Sequence, residues 1–311
     1  MALLIINLDK VIGSAQAFRD AFKEQLPDLP IRFWPDAGDP KDIEYLAFMH
    51  PDFGVLPAFP NLKAMFSRSA GVEAFIDHPK MPRVPLGKIE PSGGDPMMTE
   101  YVVMHVLRLH RDMPGYQAAQ ARKEWRRVPI ARPEQRRVGF LGFGMMAKAP
   151  ALVLQSLGFK VSAWVRSPRP AAEVPMFHGP DQLERFLGQT DIAVCLLPLT
   201  DATRGLLNAC TFARLKPGAK LIHVGRGEHL VAADLLEALQ SGHLGGAIVD
   251  VFPNEPLPAD DPLWRAPNLI VTPHMASVAS ADTIGLQVAQ NVRRLLKGEA
   301  LANVVDVSRG Y

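Results

Sequence analysis

Gly142-Phe143-Gly144-Met145-Met146-Ala147 sets two glycines one residue apart, directly after an apolar run and just ahead of an apolar helix-forming stretch. That setting is what a dinucleotide-binding turn requires. Gly142 permits the tight turn, Gly144 lets a pyrophosphate approach the backbone, and Ala147 stands where a third small residue packs helix against strand. Met145 and Met146 open the helix, whose free N–H groups and dipole favour an anion. A plain tight turn is the other reading of these residues. The second strand of such a unit usually ends in an acidic residue that bonds the ribose 2′-hydroxyl of NAD. Here it runs into Trp164-Val165-Arg166-Ser167-Pro168-Arg169. With Arg166, Ser167 and Arg169 in place of a carboxylate, the strand end suits the 2′-phosphate of NADP (NADPH), with NAD still possible. Arginines that merely face solvent are the plainer alternative.

Four later segments carry further chemistry. They are Leu221-Ile222-His223-Val224-Gly225-Arg226-Gly227, then Gly246-Ala247-Ile248-Val249-Asp250-Val251-Phe252 with Asn254-Glu255-Pro256-Leu257, then Pro262-Leu263-Trp264, and finally Thr272-Pro273-His274. In order and spacing this set resembles the D-isomer-specific 2-hydroxyacid dehydrogenase family. The closing Val305-Asp306-Val307-Ser308-Arg309-Gly310-Tyr311 and the His50-Pro51 pair resemble its glyoxylate/hydroxypyruvate reductase A branch. The resemblance covers nearly the whole chain and is weakest before residue 60. Two positions depart from the branch: Met49 stands where an aromatic is usual before His50, and the loop around Gly94 differs in composition. Both leave the preferred 2-oxo acid open.

The resemblance implies an oxidoreductase that moves a hydride between a nicotinamide and a small 2-oxo acid, with Arg226, Glu255 and His274 as its catalytic set. Each residue type suits its part. A planar guanidinium can pair with the substrate carboxylate and polarise the neighbouring carbonyl, but it cannot give up a proton. Histidine alone has an unperturbed pKa near neutrality, so His274 is the proton donor to the nascent alkoxide. Glu255 would orient the imidazole and favour its charged form. The same resemblance places Leu197, Pro198 and Thr203 along the cofactor and Asp250 at its nicotinamide end. It offers the backbone of Ala70, Gly71 and Val72 to the substrate carboxylate, and Lys88 is a further candidate near the substrate. His105, His110, His178, His223, His229 and His243 show no comparable motif and read as surface or packing residues.

Chemistry of this kind needs elements to hold it. Residues 1–97 alternate short apolar runs (3–6, 31–34, 45–48 and 62–66) with helical or loop segments, the pattern of a small parallel α/β unit of flavodoxin-like type. Prolines 79, 82, 85, 91 and 96 punctuate its connections. From Met98 an amphipathic helix opens a second domain, and further strands are expected at 160–164, 192–195, 220–223, 246–250 and 269–271. Alternation of strand and helix there builds a Rossmann-type, doubly wound parallel sheet. Pro150 lies past the first turn of the helix after the glycines, where it removes a hydrogen bond and should bend the helix. A last amphipathic helix, 280–296, could return the chain to the first domain. The expected division is 1–97 with 285–311 for the substrate domain and 98–284 for the cofactor domain, with catalysis in the cleft.

A chain of 311 residues with 48% hydrophobic and 21% charged residues has ample core and is not a disordered one. A formal charge of +2 provides no general attraction to nucleic acid or membrane. The basic stretch 122–137 lacks interleaved aromatics apart from Trp125, so it reads as a solvated or subunit-contacting face. Two cysteines, Cys195 and Cys210, are too few for a disulfide framework and fit a reducing, cytoplasmic setting. The opening apolar run is too short for a signal peptide and reads as a strand. Family membership further implies a homodimer through the helix near 98–111. Two competing functions are a nucleotide-sensing corepressor, against which the intact Arg226, Glu255 and His274 set argues, and a phosphoglycerate dehydrogenase, for whose added regulatory domain no residues remain.

Overall fold

The structure, a computed structural model, describes residues 1–6, 15–49, 51–68, 72, 75–88, 95–129, 131–168 and 173–306. They divide into two compact units, Met1–Pro91 with Val278–Tyr311, and Ser92–Ser277. The divisions lie a few residues ahead of those expected from sequence, so that both long helices near them stay whole.

The first unit carries β1 (Ala2–Ile6), α1 (Ala15–Gln25), β2 (Ile31–Phe33), β3 (Ile43–Phe48), β4 (Ala64–Ser67) and β5 (Leu86–Lys88), and it is completed by α8 (Ala281–Leu296). Its five parallel strands run in the order β2-β1-β3-β4-β5, a flavodoxin-like order. Both faces are covered, which is why β1 is apolar at every position. Leu3 and Ile5 pack with Phe18, Phe22, Ile284, Val288 and Val292, while Leu4 and Ile6 pack on the other side with Phe48, Phe53 and Phe75. The return of the last helix is therefore a packing event between α1 and α8.

The second unit opens with α2 (Pro96–His110) and α3 (Met113–Ala121). Asp95 caps α2 by accepting the Met97 N–H, and Pro96 suits the first helical turn. There follow β6 (Arg137–Leu141), α4 (Met145–Ser156), β7 (Lys160–Val165), β8 (Met176–His178), α5 (Leu183–Leu187), β9 (Ile192–Cys195), α6 (Ala209–Arg214), β10 (Ala219–His223), α7 (Ala232–Gln240), β11 (Leu244–Val249) and β12 (Leu269–Val271). All seven strands are parallel, in the order β12-β11-β10-β9-β6-β7-β8. The first strand of the unit, β6, lies inside the sheet, and the chain winds outward from it in both directions. This is the doubly wound arrangement, with its switch point between β6 and β9. Helix α4 continues through Pro150, which is buried. Proline has no N–H to give the carbonyl of Met146, one turn back.

Candidate active site

Open α/β sheets bind ligands beyond the carboxyl ends of their strands, at the switch point. There Gly142 adopts φ 90°, and a Cβ on it would fall 2.8 Å from the Leu196 carbonyl oxygen. Only glycine fits that turn. The Gly142 N–H donates to Trp164 O at 2.9 Å and Leu196 N–H to Leu141 O at 2.9 Å, so the ends of β6, β7 and β9 are laced together. Gly144 is the residue before α4, and a Cβ added to it would meet nothing within 4 Å. The turn thus leaves an open cradle in front of free helix N–H groups, as an incoming pyrophosphate needs. Ala147 is fully buried against Val138 and Phe140, while Met145 is exposed and Met146 half-buried.

Arg166 and Ser167 are exposed just past the end of β7; Arg169 lies outside the described residues. Leu197 is buried and Pro198 exposed after β9. The Thr203 hydroxyl donates to Pro198 O at 2.8 Å and accepts the Thr200 N–H at 2.8 Å, so it closes the loop that carries Leu197 and Pro198. In the first unit, Lys88 ends β5, the Val72 side chain is in the core, and Ala70, Gly71 and His50 lie outside the described residues.

The expected catalytic residues follow three adjacent strands: Arg226 after β10, Glu255 after β11 and His274 after β12. Gly227 makes this possible, because a Cβ there would lie 2.0 Å from the Phe252 carbonyl carbon. The loop after β10 therefore lies directly on the loop after β11. His274 Nδ1 is 2.7 Å from Glu255 Oε2, and Glu255 Oε1 accepts the Phe252 N–H at 2.9 Å. The carboxylate takes the proton-bearing Nδ1, which leaves Nε2 as the nitrogen free to work on a substrate. The His274 side chain is 52% exposed, so a reactant can reach it.

His274 holds a left-handed backbone, φ 54°, uncommon outside glycine. Asp250 imposes it. Its backbone carbonyl accepts the His274 N–H at 2.8 Å, and its buried carboxylate accepts the Met275 N–H at 2.9 Å, the Ala276 N–H at 2.8 Å and the Thr272 hydroxyl at 2.5 Å. Since the Thr272 proton goes to Asp250, Tyr101 on α2 donates to Thr272, 2.6 Å away. Asp250, expected from sequence only at the nicotinamide end, is thus the post on which the His274 loop is wound. A carboxylate has about four acceptor positions, and these bonds use three.

Electrostatics follow the geometry. The Glu255 hydrogen bond raises the His274 pKa above its ordinary value; partial burial and the Arg226 charge oppose it without cancelling it. For Glu255, burial works upward, but hydrogen bonds from His274 and the Phe252 N–H, with the pull of the His274 and Arg226 charges, hold it below the usual carboxylate range. Arg226 is half-buried, and its Nη1 donates to Gly225 O at 2.8 Å. Two residues read as surface or packing residues touch this site: His223 and His229 are fully buried and bond the backbone of Arg226. Their signal in the sequence is the symmetric spacing, three residues before and three after the arginine.

The family model for the D-isomer specific 2-hydroxyacid dehydrogenase NAD binding domain matches residues 103–276. The chain belongs to the D-isomer specific 2-hydroxyacid dehydrogenase family. This dehydrogenase is 37% identical over 304 residues to a glyoxylate/hydroxypyruvate reductase A of Serratia proteamaculans (strain 568), covering 96% of this chain and 97% of the relative. Among solved structures it is similar to a D-isomer specific 2-hydroxyacid dehydrogenase of Xanthobacter autotrophicus Py2 in complex with NADPH and MES, with TM-score 0.91, 38% identity, and coverage of 100% of this chain and 99% of the other. It is likewise similar to an NADPH-dependent glyoxylate/hydroxypyruvate reductase of Sinorhizobium meliloti in complex with NADP and sulfate, with TM-score 0.90, 33% identity and full coverage of both chains, 100% and 100%. The dehydrogenase is an NAD(P)-dependent oxidoreductase, and among its described residues no helix is long and apolar enough to cross a membrane.

Proposed function

We propose that this dehydrogenase reduces a small 2-oxo acid, glyoxylate or hydroxypyruvate, to the D-2-hydroxy acid with NADPH. The observation that carries the reading is the His274–Glu255 pair at 2.7 Å beside Arg226, on the same edge of the sheet as the glycine turn. When bound, the reduced nicotinamide supplies the hydride to the carbonyl carbon. Arg226 pairs with the substrate carboxylate and draws electron density toward the carbonyl oxygen. As that oxygen gains the electron pair of the broken π bond, His274 gives it the Nε2 proton and ends as a neutral imidazole, still held by Glu255. The test is loss of absorbance at the reduced-nicotinamide band with a panel of 2-oxo acids. Turnover is expected on glyoxylate or hydroxypyruvate; cofactor binding with turnover on none of the panel would overturn the reading.

The pH dependence has a definite sign. Reduction requires protonated His274, so activity is present below its raised pKa and falls as pH rises through it. Glu255→Gln removes the main cause of that rise, and the fall in kcat/KM should then occur at lower pH. An unchanged profile would show that Glu255 does not tune the imidazole.

Preference for NADPH rests on the end of β7, where Trp164-Val165-Arg166-Ser167 offers a cation and a hydroxyl and no carboxylate. A charge-assisted hydrogen bond contributes ~1.5–3 kcal/mol, so Arg166→Ala should weaken NADPH binding about 10- to 150-fold and leave NADH little changed. Comparing KM for both cofactors at fixed ionic strength decides it. A wild-type preference for NADH would end the argument, and equal losses would assign Arg166 a general positioning part. We also propose a homodimer through α2, whose outer side leaves Met97, Met104 and Leu107 exposed while Met98, Val102, Val106 and Leu109 fill the core.

A further inference from the structure

Strand β10 ends in His223, and the turn that carries Arg226 closes on His229. Both imidazoles are fully buried, with ring centroids 5.8 Å apart. The Arg226 N–H donates to His229 Nδ1 at 3.0 Å, and the Arg226 carbonyl oxygen lies 2.9 Å from His223 Nε2. A backbone N–H can only donate, so His229 Nδ1 is bare and its proton sits on Nε2, which faces the Pro198 carbonyl at 3.2 Å. A carbonyl can only accept, so His223 carries its proton on Nε2 as well. Burial pushes both rings down in pKa, His223 to about 3, and keeps them neutral in these tautomers. A Cβ on Gly225 would approach His229 Nδ1 to 3.0 Å, so this loop lies flat on the ring.

Cys195 Sγ completes a cluster whose potential ligand atoms lie within 4.8 Å of one another. Three of the four ring nitrogens already serve backbone groups, however, and a metal ion would have to take His229 away from either Arg226 or Pro198. Among the ring nitrogens only His223 Nδ1 has no hydrogen-bond partner, so the two rings serve the loop through the other three.

We infer that His223 and His229 are positioning residues that grip the backbone of Arg226 on both sides of its Cα and aim its guanidinium, His229 also tying that loop to the Pro198 loop. The inference rests on the substrate role proposed for Arg226. A long side chain multiplies any rotation of its own backbone, and a displacement of about 1 Å in a positioning group can cost 100-fold in rate.

The experiment is a double-mutant cycle read as kcat/KM for the 2-oxo acid. His229→Leu alone should lower it by about 10- to 100-fold, chiefly through KM, and His229→Gln, which keeps an acceptor and a donor, should recover part of the loss. In an Arg226→Ala background the same His229→Leu change should have no further effect. Equal losses in both backgrounds, or a His229→Leu enzyme with wild-type KM, would overturn the inference. If Arg226→Ala itself retained wild-type kcat/KM, the substrate role of Arg226 would fail and the clamp would fall with it, a result the cycle separates from additivity. Should His229→Leu not fold, imidazole 15N shifts of the wild-type protein decide. Two neutral Nε2–H rings that do not titrate across the neutral range support the clamp, and a charged ring or an Nδ1–H tautomer at either position refutes it.

Discussion

His274→Ala and His274→Asn should bind NADPH as the wild type does and turn over about 100-fold more slowly or worse, the usual scale for a lost general acid. Asparagine fills part of the same space and can still donate a hydrogen bond, but it has no proton to transfer near neutrality, so both variants should fail alike. The loss should fall on kcat, because the ground-state complex needs a carboxylate partner and a cofactor more than it needs the acid. The wound loop supports such a clean variant: Asp250 holds the Thr272 hydroxyl and the backbone N–H groups of Met275 and Ala276 independently of the His274 side chain. Steady-state kcat and a fluorescence titration of NADPH binding make the check. Near-wild-type turnover in either variant would remove His274 from the mechanism.

Arg226→Lys should lower kcat/KM by about 100-fold although it keeps the charge. A carboxylate is best held by two parallel N–H bonds from one rigid plane, and the guanidinium has that plane while an ammonium on a flexible stem does not. Arg226 Nη1 already spends one bond on Gly225 O, 2.8 Å away, which fixes the roll of the fork. Lysine cannot make that bond and face a substrate with a fork in hand, so misorientation adds to the lost contact. Initial rates over a range of substrate concentration test this. A lysine variant with wild-type kcat/KM would mean that simple charge attraction suffices and that the planar geometry has no part.

Much of this protein could be read from the order of its residues. Runs apolar at every position, such as those that became β1 and β9, announce strands covered on both faces, because only a buried sheet tolerates side chains of that kind on both sides. Glycines 142 and 144 between a strand and a helix, and the chain of motifs ending in His274, carry the proposed cofactor turn and the proposed catalytic set for a related reason. Tight turns and proton transfer admit few residue types, so the constraint is visible locally.

What depends on a neighbour distant in sequence was not legible. Strands β5 and β8 have three residues each and lie at sheet edges; they exist because β4 and β7 present unpaired edges, which no local pattern records. Helix α3 begins Met113-Pro114-Gly115, the last two poor helix formers on their own, and forms where proline occupies its first turn. Asp250 was expected at the nicotinamide end, but its hold on the His274 loop involves Thr272 and Tyr101, the latter 171 residues from Thr272 in sequence. His223 and His229 looked like packing because burial and hydrogen-bond partners are properties of the folded loop. Which residue types can do the chemistry is set by composition and spacing, whereas which nitrogen meets which carbonyl is decided only when adjacent strands bring their ends together.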